Sequence, residues 1–351
     1  MKKTVLVHML LLMGLTVYAQ PQDPVEVWPE SQPQSKYVPV LQYWEEHNIF
    51  QHLDASVTLG TTGIGVEVSS PIGKNLQLRA GFDYMPHFHY KANFTVLVGD
   101  DPQMSASKFE RMSELLTEYT SFKVDNKVDV IGEPTYYNFK MLFDIFPLKR
   151  NKHWYVTAGF YWGKSQIGKG YNTTEDMVPL LAVGIYNQMY EKAIAWEPLI
   201  SVGGYTLDDP DVQEQLEEKF RRYGRMGMHV GNYTHDIKDA EGNVIHAAGE
   251  PYMMEPGEDG MAKVKVSVNS FKPYLGFGYT GRLFKGNDKY KVSFDCGALF
   301  WGGTPSVVTH DGTNLAKDVR DIKGKVGDYV DIIKAVKVFP VLNVRFTKTL
   351  F

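Results

Sequence analysis

His153-Trp154-Tyr155-Val156-Thr157-Ala158-Gly159-Phe160-Tyr161-Trp162 is the stretch on which the fold turns. In an extended chain Trp154, Val156, Ala158, Phe160 and Trp162 share one side, and His153, Tyr155, Thr157, Gly159 and Tyr161 the other, because strand side chains alternate with period two. A helical period would scatter both sets. Tryptophan at each end of the apolar side fits a strand that crosses a bilayer between two interfacial aromatic girdles.

The alternation recurs. Leu76, Leu78, Ala80, Phe82 and Tyr84 oppose Gln77, Arg79, Gly81 and Asp83, and Tyr137, Phe139, Met141, Phe143 and Ile145 oppose Asn138, Lys140, Leu142 and Asp144. Farther on, Phe271, Pro273, Leu275, Phe277 and Tyr279 face away from Lys272, Tyr274, Gly276, Gly278 and Arg282. Val292, Phe294, Cys296, Ala298 and Phe300 face away from Lys291, Ser293, Asp295 and Gly297. Ile64, Val66 and Val68 oppose Gly65, Glu67 and Ser69, but Val57 and Leu59 are out of phase with them. The break at Gly60-Thr61-Thr62-Gly63 reads as a glycine bulge within one strand from Ala55 to Ser69, or as a turn between two strands.

These segments predict strands at 55–69, 75–84, 89–97, 136–146, 153–162, 271–282, 289–301 and 337–350. The expected fold is all-β: a closed, antiparallel, up-and-down transmembrane β-barrel of about eight strands, with ten to twelve as the alternative. Links at 85–88, 147–152 and 283–288 are short and fall at one end. Links at 98–135, 163–270 and 302–336 are long and fall at the other, as in an outer-membrane barrel with extracellular inserts. The short link from Pro71 to Lys74 fits this segregation less well. The insert 163–270 is too long to lack structure. Met177 to Lys192 and Asp211 to Arg222 have helical patterns, Asp239 to Asn243 carries a turn signal, and Tyr329 to Val336 reads as a further short helix.

The N-terminus has the form of a signal peptide over residues 1–19: Met1-Lys2-Lys3, an apolar run from Thr4 to Val17, and the small-residue junction Val17-Tyr18-Ala19. Its apolar core is shorter than the roughly 20 residues a spanning helix needs. Residues 20–50, rich in Pro and Gln, read as a periplasmic tail, and 51–351 as the barrel with its inserts. The chain ends on an aromatic strand, with Phe346, Leu350 and Phe351 as the expected signal for outer-membrane insertion. Phe351 lies on the opposite parity to Leu342, Val344, Phe346 and Leu350, which a bulge near Lys348 would reconcile. No run after residue 20 is long and apolar enough for a membrane helix, which excludes a helical membrane protein. The 21 Tyr and 32 Gly suit strands and tight turns. A net charge of −4 supplies no basic field for nucleic acid. With Cys296 alone there is no internal disulfide, so stability must come from sheet closure.

Gly60-Thr61-Thr62-Gly63-Ile64-Gly65, Arg79-Ala80-Gly81-Phe82, Phe271 to Tyr279, Val292 to Gly297 and Leu342 to Lys348 together resemble the small outer-membrane β-barrel proteins of Bacteroidota-type bacteria. The likeness extends over most of residues 50–351. It implies an outer-membrane location and brings no reaction or catalytic residue with it.

The sharpest constellation is a charged lumen, Glu67, Asp83, Asp144 and Asp295 against Arg79, Lys140, Lys272, Arg282, Lys291 and Arg345. About eight strands leave room only for side chains, so such charges must pair there as a structural network. A proton path or gated pore is the competing reading. His87 and His89 put two imidazoles on one strand face with no third ligand fixed by spacing, and Asp236, Asp239, Glu241 and Asn243 lack the order of a calcium loop. Gly163-Lys164-Ser165 lacks the strand-loop-helix setting of a phosphate loop. No nucleophile signature appears, and no cofactor or metal is expected. The expected function is a non-enzymatic anchor or surface-binding protein working through its inserts. The alternatives are small-solute or ion transport through a wider barrel, and an outer-membrane hydrolase drawing on His153 or His310 with Asp311. The expected partners are outer-membrane lipid, the barrel-assembly machinery and an extracellular partner or polymer.

Overall fold

The computed structural model describes residues 40–47, 49–95, 114, 117–118, 121, 127–148, 150–173, 177–197, 201–202, 205–206, 210–322 and 324–351. The expected signal peptide and residues 20–39 and 48 of the expected tail lie outside them. A helix, α1 (Val40–Glu46), leads the described chain.

Eight antiparallel strands close into a barrel in sequence order: β1 (Asp54–Gly60), β2 (Gly63–Gly73), β3 (Leu76–Tyr84), β4 (Tyr137–Ile145), β5 (Trp154–Gly163), β6 (Phe271–Phe284), β7 (Asn287–Phe300) and β8 (Val338–Thr349). Closure comes from β1 against β8, with Val57 opposite Phe346. No strand edge of the barrel is left open, which replaces the disulfides the chain lacks. Among the described residues no helix is long and apolar enough to cross a membrane.

Two expectations need correction, and they offset each other in the strand count. Gly60-Thr61-Thr62-Gly63 is not a bulge within one strand but the turn of the β1–β2 hairpin, with Gly60 paired to Gly63. Gly63 has φ 97°, and a Cβ there would run into the Tyr84 carbonyl, so only glycine serves. The predicted strand 89–97 is not in the barrel. Tyr90–Thr95 pairs instead with Lys127–Pro134 in a separate sheet, and β3 goes directly to β4 through Leu76↔Ile145 and Tyr84↔Tyr137. Pairing rather than length decides this, since β1 has only 7 residues against the 6 of Tyr90–Thr95, and the direct β3–β4 ladder leaves that segment no place in the wall.

With the hairpin recognised, Pro71 to Gly73 belongs to β2 and the link after it is a tight turn at the short-turn end. The turn between Phe284 and Asn287 and the link from Ile145 to Trp154 lie at that same end. The long connections between β3 and β4, β5 and β6, and β7 and β8 lie at the other.

The long connections fold into a cap. A five-stranded sheet runs in the order Ser306–Thr309, Lys263–Ser267, Gln166–Asn172, Lys127–Pro134, Tyr90–Thr95. Its five strands adjoin β7, β6, β5, β4 and β3 in sequence, so more than half of the barrel wall leads into it. Helices α2 (Met177–Ala195), α3 (Pro210–Tyr223) and α4 (Gly324–Ala335) contribute to a core of Leu180, Val183, Tyr186, Leu216, Phe220, Met226, Val307, Val319 and Val330. Each such side chain contributes about 1.5–3 kcal/mol on burial. In α3, Asp211 in the first turn and Arg221 and Arg222 in the last complement the helix dipole. Gly224, at φ 74°, ends the helix by donating to the Phe220 carbonyl at 3.0 Å.

Candidate functional site: the barrel lumen

The strand alternation turns the usual soluble pattern inside out. Val57, Val66, Phe139, Leu275, Phe277 and Phe346 stand on the outer wall, while Ser56, Thr58, Glu67, Arg79, Asp83, Lys140, Asp144, Asp295 and Arg345 are buried within it. A continuous apolar exterior around a polar interior is the architecture of a transmembrane β-barrel.

Arg79, projecting inward from β3, organises the lumen. Its guanidinium lies 2.9 Å from Asp144 on β4, 3.2 Å from Asp295 on β7 and 3.4 Å from Glu67 on β2. In a ring of eight strands β3 and β7 are opposite walls, so the Arg79–Asp295 pair spans the barrel from side to side. Lys140 on β4 pairs with Glu67 and lies 2.6 Å from Asp83. Arg345 on β8 donates to the Tyr155 hydroxyl at 2.9 Å, which donates to Asp295 at 2.8 Å. Thr157 donates to Asp144 at 2.7 Å. Buried charges persist only when paired and hydrogen-bonded, and these are tied into one network.

Lys272 is fully buried but lies apart from the carboxylates. Its ammonium is held by Asn138 Oδ1 at 2.9 Å and by the carbonyls of Ser270 and Lys164 at 3.2 and 3.4 Å. Lys291 sits at the short-turn rim, 34% exposed, 3.6 Å from Asp54. Arg282 is not in the lumen, contrary to expectation: it is 61% exposed and pairs with Asp288 across the β6–β7 hairpin. There the strands run on toward their turn and the register slips between Arg282 and Phe284, so alternation no longer assigns an inside. The sequence reading missed Asp54, just before the predicted start of the first strand, and Tyr155, which lay on the polar side of the opening stretch but carries no charge to flag it.

Trp154 and Trp162 stand on the outer wall at the two ends of β5, with the Tyr279 ring 5.1 Å from that of Trp154. Phe346, Leu350 and Phe351 are also on the outside. No bulge near Lys348 reconciles the two parities: Lys348 pairs in register with Ala55 and Tyr290, and the Phe351 carbonyl accepts from the Leu53 amide at 3.1 Å.

Outside the lumen the other candidates have local partners. His87 lies 2.6 Å from Glu133, and no group of metal-ligating side chains is found among the described residues. Asp239 accepts from the backbone and side chain of Asn243 at the tip of a small hairpin. Asp311 accepts from Thr309 at 2.6 Å, Tyr252 at 2.7 Å and the Thr313 amide at 2.9 Å, so it braces a corner rather than orienting His310.

The fold therefore defines a closed eight-stranded barrel whose lumen is filled by an ion-pair network. No family model and no curated protein matches the chain. Among solved structures it is similar to CarO2 of Acinetobacter baumannii (13% identity, TM-score 0.36, covering 85% of this chain and 98% of that one). It is also similar to CarO of the same organism (14% identity, TM-score 0.34, covering 85% and 97%).

Proposed function

We propose that this protein is a non-enzymatic outer-membrane barrel of the Bacteroidota-type kind, closed to solutes, that holds its cap at the cell surface to bind a partner or polymer. The observation that carries the reading is Arg79, which bridges opposite barrel walls in the middle of a buried network. A conducting pore needs water where these side chains sit. The apolar outer wall supports membrane insertion, and the gathering of every long connection at one end supports a cap directed outward.

Cell fractionation tests the location: the protein should sediment with outer membranes and migrate differently on gels before and after boiling. Protease added to intact cells should cut at the exposed Asp239 to Asn243 tip and spare the β6–β7 turn at Lys285-Gly286. Recovery in the soluble periplasm, or cleavage only at the β6–β7 turn, contradicts the reading.

A further inference from the structure

The end of the barrel opposite the cap opens into a cavity of about 330 Å³. Tyr155 and Arg345, the last members of the lumen network, form its floor, and the walls come from the turns and from the strand ends beside them. Lys74, Lys152, Arg282 and Lys291 line it against two aspartates, in a chain whose net charge is −4. Both aspartates are already engaged. Asp54 accepts from Thr349 at 2.6 Å and faces Lys291, and Asp288 pairs with Arg282.

Lys74 and Lys152 have no carboxylate in ion-pair range among the described residues, yet they are held together. The Lys152 ammonium donates to the Lys74 backbone carbonyl at 2.8 Å, which ties the β2–β3 turn to the β4–β5 link. The neutral polar side chains of the wall are occupied with one another: Gln77 with Ser69 at 2.8 Å, Ser293 with Thr280 at 2.9 Å and Thr347 with Ser56 at 2.9 Å. His52 faces Asp54 at 3.6 Å and His153 Nδ1 meets the Thr280 carbonyl at 2.7 Å, so the cavity's cations without an acidic partner are Lys74 and Lys152, and the concave wall concentrates their field.

We propose that this mouth is a binding site for a small multivalent oxyanion of the phosphate or polycarboxylate class, gripped by Lys74 and Lys152 above the Arg345–Tyr155 floor. The same chemistry is offered by a soluble anion and by a phospholipid headgroup. The proposal stands apart from the function of the cap and from closure of the lumen, because neither lysine belongs to the network.

The test is calorimetric titration of pyrophosphate into the full chain in nonionic micelles at low salt. One saturable site is expected, weakened about tenfold in a Lys74→Ala/Lys152→Ala double variant and restored by Lys74→Arg/Lys152→Arg. Gel heat-modifiability reports whether each variant has folded. If phosphatidylglycerol doped into the micelles suppresses the pyrophosphate signal, the headgroup is the natural source; if it does not, a soluble anion is. Absence of saturable binding, or equal affinity in a folded double alanine variant, overturns the proposal.

Discussion

Lys140 and Lys272 are both buried in the lumen, and the difference between them is what each would leave behind. Removing Lys140 takes away the ion-pair partner of the fully buried Asp83 and leaves Glu67 to Arg79 at 3.4 Å and Arg345 at 4.0 Å, whereas removing Lys272 strands only neutral oxygens. Lys140→Met should therefore cost about 3–5 kcal/mol and Lys272→Met about 1–3 kcal/mol, read as the shift in urea unfolding in micelles. Equal costs would mean that the carboxylates are not what Lys140 neutralises. In the cap, burial pushes the Asp311 carboxyl up, but hydrogen bonds from Thr309, the Thr313 amide and Tyr252 outweigh it and hold the carboxyl below the usual range. A depressed folded value means that its stabilisation is present above the unfolded pKa and is lost as pH falls through the folded one. Asp311→Asn should speed hydrogen exchange around Ser306–Leu315 at neutral pH by an amount equivalent to about 1 kcal/mol, discounted for its exposure. The difference from the parent should shrink below about pH 4. Much of this was legible: Glu67, Arg79, Lys140 and Asp295 declared an inside through parity alone. Lys272 was placed correctly by parity, but its lack of a carboxylate partner depends on height in the barrel, which alternation does not encode.

At the scale of elements, period-two alternation located seven spanning segments because each was long and bounded by turn residues. It failed where the physics is local. Gly60 to Gly63 holds the same two glycines whether the chain bulges or reverses, and the deciding fact is the pairing of β1 with β8, nearly 300 residues away in sequence. Tyr90–Thr95 alternates just as well as a barrel strand, since a sheet with one face on a soluble core obeys the same period. The faces themselves are directly testable. Ala158→Arg and Phe277→Arg put a charge on the outer wall, where it costs about 2–4 kcal/mol at mid-bilayer, and both should block assembly as judged by loss of heat-modifiability. The sequence suggests that Thr157→Arg would be tolerated if the lumen had room. It has none: Thr157 is 1% exposed and bonded to Asp144, so arginine there should impair assembly as well. Gly278 makes the same point from the neighbouring strand β6, since a Cβ there would meet the Tyr155 ring.

For the whole molecule, the barrel and the cap are built on opposite rules within one chain. The barrel wall is apolar outside and charged inside, whereas the cap buries tyrosine, methionine and aliphatic side chains in a conventional core. Five wall strands lead by short links into the five strands of the cap sheet. The cap helices were legible from their periodicity; the five-stranded sheet was not, because its strands join only through pairings between distant inserts. Arg79 and its partners shut the lumen. Planar-bilayer recording of the purified full chain tests this most directly. No steady conductance is expected from the parent protein; stable, ion-selective single-channel currents whose selectivity changes in Arg79→Ala or Asp295→Ala would mean an open lumen.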